Sequence, residues 1–217
     1  MNIVGLAGKK GSGKNTVSKL LRMVSNYSET SFADALRHEL NYYINKNPDY
    51  IIQVLMSFNK HHLVDLVNKY KGRFSIELTY NRETKDEFRE LMQFWGTEVR
   101  REEDAEYWIN QINWKDNLII TDVRFGGVDT HGSEVNSIRS MGGKVIYIEG
   151  PATQIEQDSH ISEQLSPEEC DMILHWDKKD ILSCYMGLVN IANELQIPVT
   201  IGASNLWLLE LHKLSVK

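Results

Sequence analysis

Proline is scarce in this chain, 4 in 217 residues, and no proline-rich linker divides it. The two cysteines, Cys170 and Cys184, are too few for a disulfide framework or a zinc cluster and read as reduced thiols. No apolar run approaches the roughly 20 residues that a membrane-spanning helix needs. The opening MNIVGLAG has no basic leader and meets a glycine-lysine cluster at once, so no signal peptide is expected and a cytoplasmic location is. Positive charge is also in deficit. The formal net charge is -6, which disfavours DNA, RNA or an anionic membrane as partner but not a few cations gathered around a small phosphate ligand. There is neither an internal repeat nor a low-complexity stretch. What remains is ordinary for a globular protein, 41% hydrophobic and 25% charged. The length suits one α/β domain with an embedded subdomain.

Short apolar, β-branched runs at Ile3 to Ala7, Leu118 to Asp122, Lys144 to Ile148 and Asp171 to Leu174 predict buried strands, with a further short piece near Ser31 to Ala33. Continuous rather than alternating hydrophobicity suits parallel strands covered on both faces. Between them the spacing predicts helices over Asn15 to Asn26, Asp34 to Lys46, Tyr50 to Phe58, Thr84 to Arg101 (with a Thr84/Glu87 capping box), Glu102 to Asn113, Glu134 to Met141 and Lys178 to Leu195. Alternating strands and helices argue for a parallel sheet. The long, mostly helical stretch 38–115 reads as an insertion over the carboxyl edge of that sheet, where α/β folds bind ligands. Ala203 to Lys217, with Leu206, Trp207, Leu209 and Leu211, is expected to cover the core rather than an interface.

The strongest chemical signal is GKKGSGKNT, Gly8 to Thr16. It follows a strand and opens a helix, the context a phosphate-binding loop requires. Glycines at 8, 11 and 13 free the backbone to aim its N–H groups inward, and the helix adds its positive end. Lys14 supplies a point charge for the β- and γ-phosphates. Gly11, Ser12, Gly13, Lys14, Asn15 and Thr16 are therefore the expected ATP phosphate site. The position after the lysine, usually Ser or Thr, is Asn15, so Asn15 and Thr16 are both magnesium candidates, acting directly or through water.

Asp122-Val123-Arg124 ends a strand with an acid followed by a base. Asp122 is a third magnesium candidate, and Arg124 suits charge developing on a transferred phosphoryl group. Gln93, Gly96 and Arg100 share a helix face; Gly96 implies close approach there, of a flat base or of packing. Gln93 reads as a base-edge reader and Arg100 as a phosphate clamp, unless the helix is an ordinary amphipathic one with Trp95 in the core. Asp34 either caps its helix or meets a sugar or cation.

In order, GKKGSGKNT (8–16), SFADALR (31–37), QFWGTEVRR (93–101) with Trp108, TDVRF (121–125), GGKVIYI (142–148) and HISE (160–163) resemble the deoxynucleoside monophosphate kinases of large bacteriophages, in the P-loop nucleoside monophosphate kinase group. The resemblance implies a P-loop kinase fold with a helical substrate-binding insertion and a lid over 150–168. It implies transfer of phosphate from ATP, with magnesium, to a deoxynucleoside monophosphate. It also implies that Lys10 reaches the acceptor phosphate, that Asp34 and Arg37 lie near the acceptor, that Gln93, Trp95 and Arg100 shape its pocket, that Arg124 neutralises phosphates, and that His160 and Glu163 belong to the lid. The chain departs from the family pattern at Asn15, where Asp is frequent, and at Gly150, where Arg is frequent; Lys9 or Arg139 is the expected substitute cation. A dephospho-coenzyme-A-kinase-like enzyme and a non-catalytic ATP switch remain the alternatives, and a homodimer is left open.

Overall fold

A computed structural model describes residues 2–81, 83–127, 132–150, 165–177, 179–197 and 199–215. The chain forms two compact units, one of Met1–Ser31 with Asn113–Lys217 and one of Phe32–Ile112.

The first unit is built on a five-stranded, all-parallel sheet in the order β2-β3-β1-β4-β5. The strands are β1 Ile3–Ala7, β2 Ser28–Thr30, β3 Leu118–Val123, β4 Lys144–Glu149 and β5 Met172–His175. Apolar side chains alternate between two covered faces. Val4, Leu6, Ile119, Ile146 and Ile148 join one core with α1 (Lys14–Met23), α8 (Ile181–Glu194) and α9 (Ile201–Ser215). On the other face α7 (Glu134–Ser140) comes so close that a Cβ on Gly5 would stand 2.7 Å from Ile138 Cδ1. This is the expected α/β fold. One expected strand is displaced: the edge strand is Ser28–Thr30, and the SFA segment instead enters a helix at Phe32.

The C-terminal helix α9 does cover the core, through only part of its apolar set. Trp207 and Leu211 are buried, and the Trp207 indole donates to the Leu20 carbonyl at 2.7 Å, while Leu206 and Leu209 stay exposed.

The second unit is helical. It comprises α2 (Phe32–Lys46), α3 (Pro48–Ser57), α4 (His61–Tyr70), α5 (Arg89–Gln93), a π-helical stretch over Phe94–Arg101 and α6 (Tyr107–Asn110). Helix α2 buries Phe32, Leu36, Leu40 and Ile44, one residue per turn along a single stripe. The Asn45 amide acts as a backbone substitute, donating to the Phe74 carbonyl and accepting from the Phe74 N–H.

The long helix expected from Thr84 begins regularly only at Arg89. Its capping box does not form. The Thr84 hydroxyl donates to the Leu78 carbonyl, and the Glu87 carboxylate accepts from Lys69 and Tyr70 instead. The helix expected over Glu102 to Asn113 shrinks to Tyr107–Asn110. Among the described residues, no helix is long and apolar enough to cross a membrane.

Trp207→Ala should destabilise the protein by about 3–5 kcal/mol, the range for emptying a large buried aromatic site. Urea unfolding of the two proteins measures it; a change below about 1 kcal/mol would mean that α9 is not part of the folded core.

Candidate functional site

The loop between β1 and α1 lies at the carboxyl edge of the sheet. Gly8, Gly11 and Gly13 have φ of 132°, 80° and 107°, values that L side chains rarely adopt. Gly13 sits at the N-cap of α1, and its carbonyl accepts the first helical bond, from Val17, at 3.0 Å. Within the loop the Lys14 ammonium donates to the carbonyls of Gly8 and Lys9, and the Ser12 N–H donates to Lys9. Gly150, at the end of β4, packs against this loop. A Cβ there would lie 2.6 Å from the Ser12 carbonyl oxygen, which excludes any larger residue at that position without a shift of the loop.

Parallel register places Val123 beside Ala7, so the Asp122-Val123-Arg124 turn emerges next to the start of the loop. The turn is held from behind by Glu134, a residue that the sequence patterns did not single out. Glu134 is 1% exposed and its carboxylate accepts the backbone N–H groups of Arg124 at 2.7 Å and of Phe125 at 3.3 Å. It stands at the first position of α7, where the helix dipole favours a negative charge. Arg139, an expected lid cation, lies elsewhere. It ends α7 and binds Asp171 and the Glu169 carbonyl, at the amino edge of the sheet, because α7 leads from the carboxyl end of one strand to the amino end of the next.

The donors at the carboxyl edge suit a hard, oxygen-seeking cation. Thr16 is half-buried and Asn15 exposed on the first turn of α1, and Asp122 is half-buried at the end of β3. No group of three or more His, Cys, Asp or Glu able to hold a metal occurs among the described residues. A magnesium ion fits such a set, since it commonly takes one or two protein carboxylates and completes its shell with phosphate and water.

In the helical unit Asp34 and Arg37 bind one another. The guanidinium donates to Asp34 at 3.0 Å and to the Thr79 hydroxyl at 3.1 Å. Tyr80, unforeseen from sequence, lies with its ring centroid 4.3 Å from the Arg37 guanidinium carbon and gives its hydroxyl to Asp34 at 2.7 Å. Gln93 is half-buried at the end of α5.

Trp95 and Arg100 belong to a buried network centred on Glu39. Its carboxylate accepts from Trp95 Nε1 at 2.8 Å, Arg100 Nε at 2.6 Å and the Tyr107 hydroxyl at 2.8 Å. Arg100 also donates to Glu103 at 2.9 Å and to the Tyr43 hydroxyl at 3.1 Å. Burial works against the Arg100 charge, but the bonds to Glu39 and Glu103 outweigh it and hold the guanidinium protonated beyond its ordinary range. Burial, then the Glu39 bond, pushes the Tyr107 hydroxyl up to about 12. The close approach at Gly96 is packing, not a base: a Cβ there would meet Leu36 at 3.2 Å, and the Trp108 indole donates to the Gly96 carbonyl at 2.8 Å. His160, Glu163 and most of the 150–168 segment lie outside the described residues.

The family model of deoxynucleotide monophosphate kinases matches residues 50–183, more than half of the chain. The chain belongs to this family. No curated protein shows significant similarity to it. Membership makes the chain a nucleotide kinase, and the matched span runs from α3 to the start of α8, through the QFWGTEVRR helix and the Arg124 turn. The glycine loop at 8–16 precedes the matched span.

Two outcomes test this arrangement. Glu134→Ala should cost about 2–4 kcal/mol in urea unfolding, because two backbone N–H groups lose their buried acceptor; Glu134→Gln, which keeps one oxygen, should cost less. The Tyr107 hydroxyl has a raised pKa, so its contribution is complete below about pH 10 and is lost as pH rises through about 12. Tyr107→Phe should therefore flatten the fall of melting temperature between pH 10 and 12. Superimposable alkaline melting curves for the two proteins would show that Tyr107 is not held by Glu39.

Proposed function

We propose that this kinase transfers the γ-phosphoryl group of ATP to a deoxynucleoside monophosphate, giving ADP and the diphosphate. The observation that carries the reading is the loop at the end of β1. Three glycines with positive φ, a helix N-terminus and Lys14 converge there, an arrangement suited to a chain of phosphates. Family membership supplies the class of acceptor.

On this reading the loop N–H groups of Gly11 to Thr16 hold the ATP phosphates, and the Lys14 ammonium, which has three N–H donors, reaches the β- and γ-oxygens. An oxygen of the acceptor phosphate attacks the γ-phosphorus in line, the bond to the bridging β–γ oxygen breaks, and ADP departs. No general base is needed, since a phosphate monoester is already ionised at neutral pH. Lys14 and Arg124 stabilise charge on the transferred group, and Lys10 meets the acceptor phosphate. Magnesium, when bound near Asn15, Thr16 and Asp122, would neutralise charge on the phosphate oxygens. Asp34, Arg37 and Gln93 bind the acceptor nucleotide, Trp95 and Arg100 form the frame that holds that surface in shape, and His160 and Glu163 are further substrate-binding residues.

An ADP-release assay with ATP, magnesium and each of dGMP, dTMP, dCMP, dAMP and 5-hydroxymethyl-dCMP tests the proposal. ADP formation that depends on one or more of these acceptors is expected. Lys14→Ala should slow it by about 10²–10³-fold or more, the loss typical when a preorganised charge is removed from a transition state. Acceptor-independent behaviour with ATP binding intact, or near-normal turnover in Lys14→Ala, would overturn it.

A further inference from the structure

An arginine binds a ligand well when its side chain is already in place, because ordering that long, flexible chain at the moment of binding costs affinity. Arg37 is in that condition. It starts from the second turn of α2, yet its side chain is only 15% exposed. Two consecutive residues of the same unit, Thr79 and Tyr80, lie against it.

Thr79 takes the guanidinium at its edge. Arg37 Nε–H donates to the Thr79 hydroxyl oxygen at 3.1 Å. The single proton of that hydroxyl is given to the Ile76 carbonyl at 2.7 Å, so toward Arg37 the oxygen acts only as an acceptor. Thr79 is buried, and a buried oxygen with one role admits few positions of its partner. Tyr80 takes the guanidinium at its face, with the ring centroid 4.3 Å from Cζ, a cation-on-ring contact. Its hydroxyl donates to Asp34 Oδ1 at 2.7 Å, the same oxygen that accepts from Arg37 Nη1 at 3.0 Å. Arg37 is thus held at its edge, over a face and through the shared carboxylate oxygen.

The turn that carries both residues is itself fastened. Thr79 ends the 3₁₀ turn Ile76–Thr79. Just before it, the Asn45 amide of α2 both donates to and accepts from the Phe74 backbone. Within it, the Leu78 carbonyl accepts from the Thr84 hydroxyl at 2.6 Å. Tyr80, by contrast, is 56% exposed. Burial of apolar surface does not account for a tyrosine in so open a place, and its ring and hydroxyl are both engaged with the Asp34–Arg37 pair.

We propose that Thr79 and Tyr80 are positioning residues for the acceptor nucleotide, which set the Arg37 guanidinium beside Asp34 before the nucleotide arrives. Part of the acceptor's affinity then comes from two side chains that need not touch it. The inference rests on the reading of Asp34 and Arg37 as acceptor-binding residues.

The test is calorimetric titration of the full chain, without ATP, with dGMP, dTMP, dCMP and dAMP. For the monophosphates that the wild type binds, Tyr80→Leu and Thr79→Val should each weaken binding by about fivefold or more, the range for leaving one long side chain to be ordered on binding. Tyr80→Phe, which keeps the ring on Arg37, should recover part of the loss. In turnover the loss should appear in KM for the acceptor, with KM for ATP unchanged, and the melting temperature of Tyr80→Leu should stay close to that of the wild type. In an Arg37→Ala background Tyr80→Leu should cause no further loss, since no guanidinium is left to place. A second readout needs no nucleotide. With ¹⁵N-labelled arginine, the Arg37 Nε proton, assigned by its loss in Arg37→Ala, should exchange slowly with water in the wild type and several-fold faster in Thr79→Val and Tyr80→Leu. Undiminished affinity in Tyr80→Leu and Thr79→Val, while Arg37→Ala binds weakly, would overturn the proposal. So would a loss in Tyr80→Leu that persists in the Arg37→Ala background, which would make Tyr80 a direct contact. If the wild type binds none of the four, or Arg37→Ala binds them as the wild type does, the acceptor reading of Arg37 falls, and this inference with it.

Discussion

The parallel pairing of β1 between β3 and β4 is the constraint on which the rest depends. Because the three strands run in one direction, their carboxyl ends emerge together. The glycine loop after Ala7, the Arg124 turn after Val123 and Gly150 after Glu149 therefore share one edge. A single edge gathers the loop N–H groups and Lys14 with Asp122 and Arg124, from segments more than a hundred residues apart in sequence. The close packing of Gly5 under Ile138 and of Gly150 against Ser12 shows how little slack this edge has. A larger residue at either place would move the backbone that aims the donors.

The helical unit solves a different problem with a buried charge. Arg100 and Glu39 are both largely shielded, and isolated ions in that position would cost several kcal/mol each. The cost is offset because nearly every valence is used: Glu39 accepts three bonds, and Arg100 donates to two carboxylates and a tyrosine with aromatic rings on its faces. Such a network adds little over an apolar core in stability, but it has only one satisfactory arrangement. It ties α2, the π-helical stretch and α6 into a fixed relation. π-helical turns concentrate at functional sites, and this one carries Trp95, Gly96 and Arg100.

The sheet was legible because its signals are local. Uninterrupted β-branched runs bounded by glycine and asparagine placed β1 at both ends correctly, and β3, β4 and β5 to within a residue or so. The glycine loop was legible for the same reason: Gly8, Gly11 and Gly13, picked out by their spacing, do take positive φ at the junction of β1 and α1. Errors arose where a distant residue outbid a local one. Thr84 and Glu87 have the spacing of a capping box, but Leu78, Lys69 and Tyr70 take their side chains. Gly96 correctly signalled close approach, yet the approaching group is Leu36, sixty residues away in sequence. Tyr80, Glu39 and Glu134 left no pattern at all, because each is defined by a partner that only the fold supplies.

Those residues matter in proportion to how little covalent chemistry the proposed reaction asks of the protein. When the nucleophile is an ionised phosphate and the leaving group a nucleoside diphosphate, no side chain has to gain or lose a proton. Rate then comes from where fixed charges and N–H groups stand. A lysine or arginine is flexible and contributes only when something else settles its position. For Arg124 that is Glu134, which fixes the backbone from which it projects. For Lys14 it is the loop itself, whose Gly8 and Lys9 carbonyls hold the ammonium.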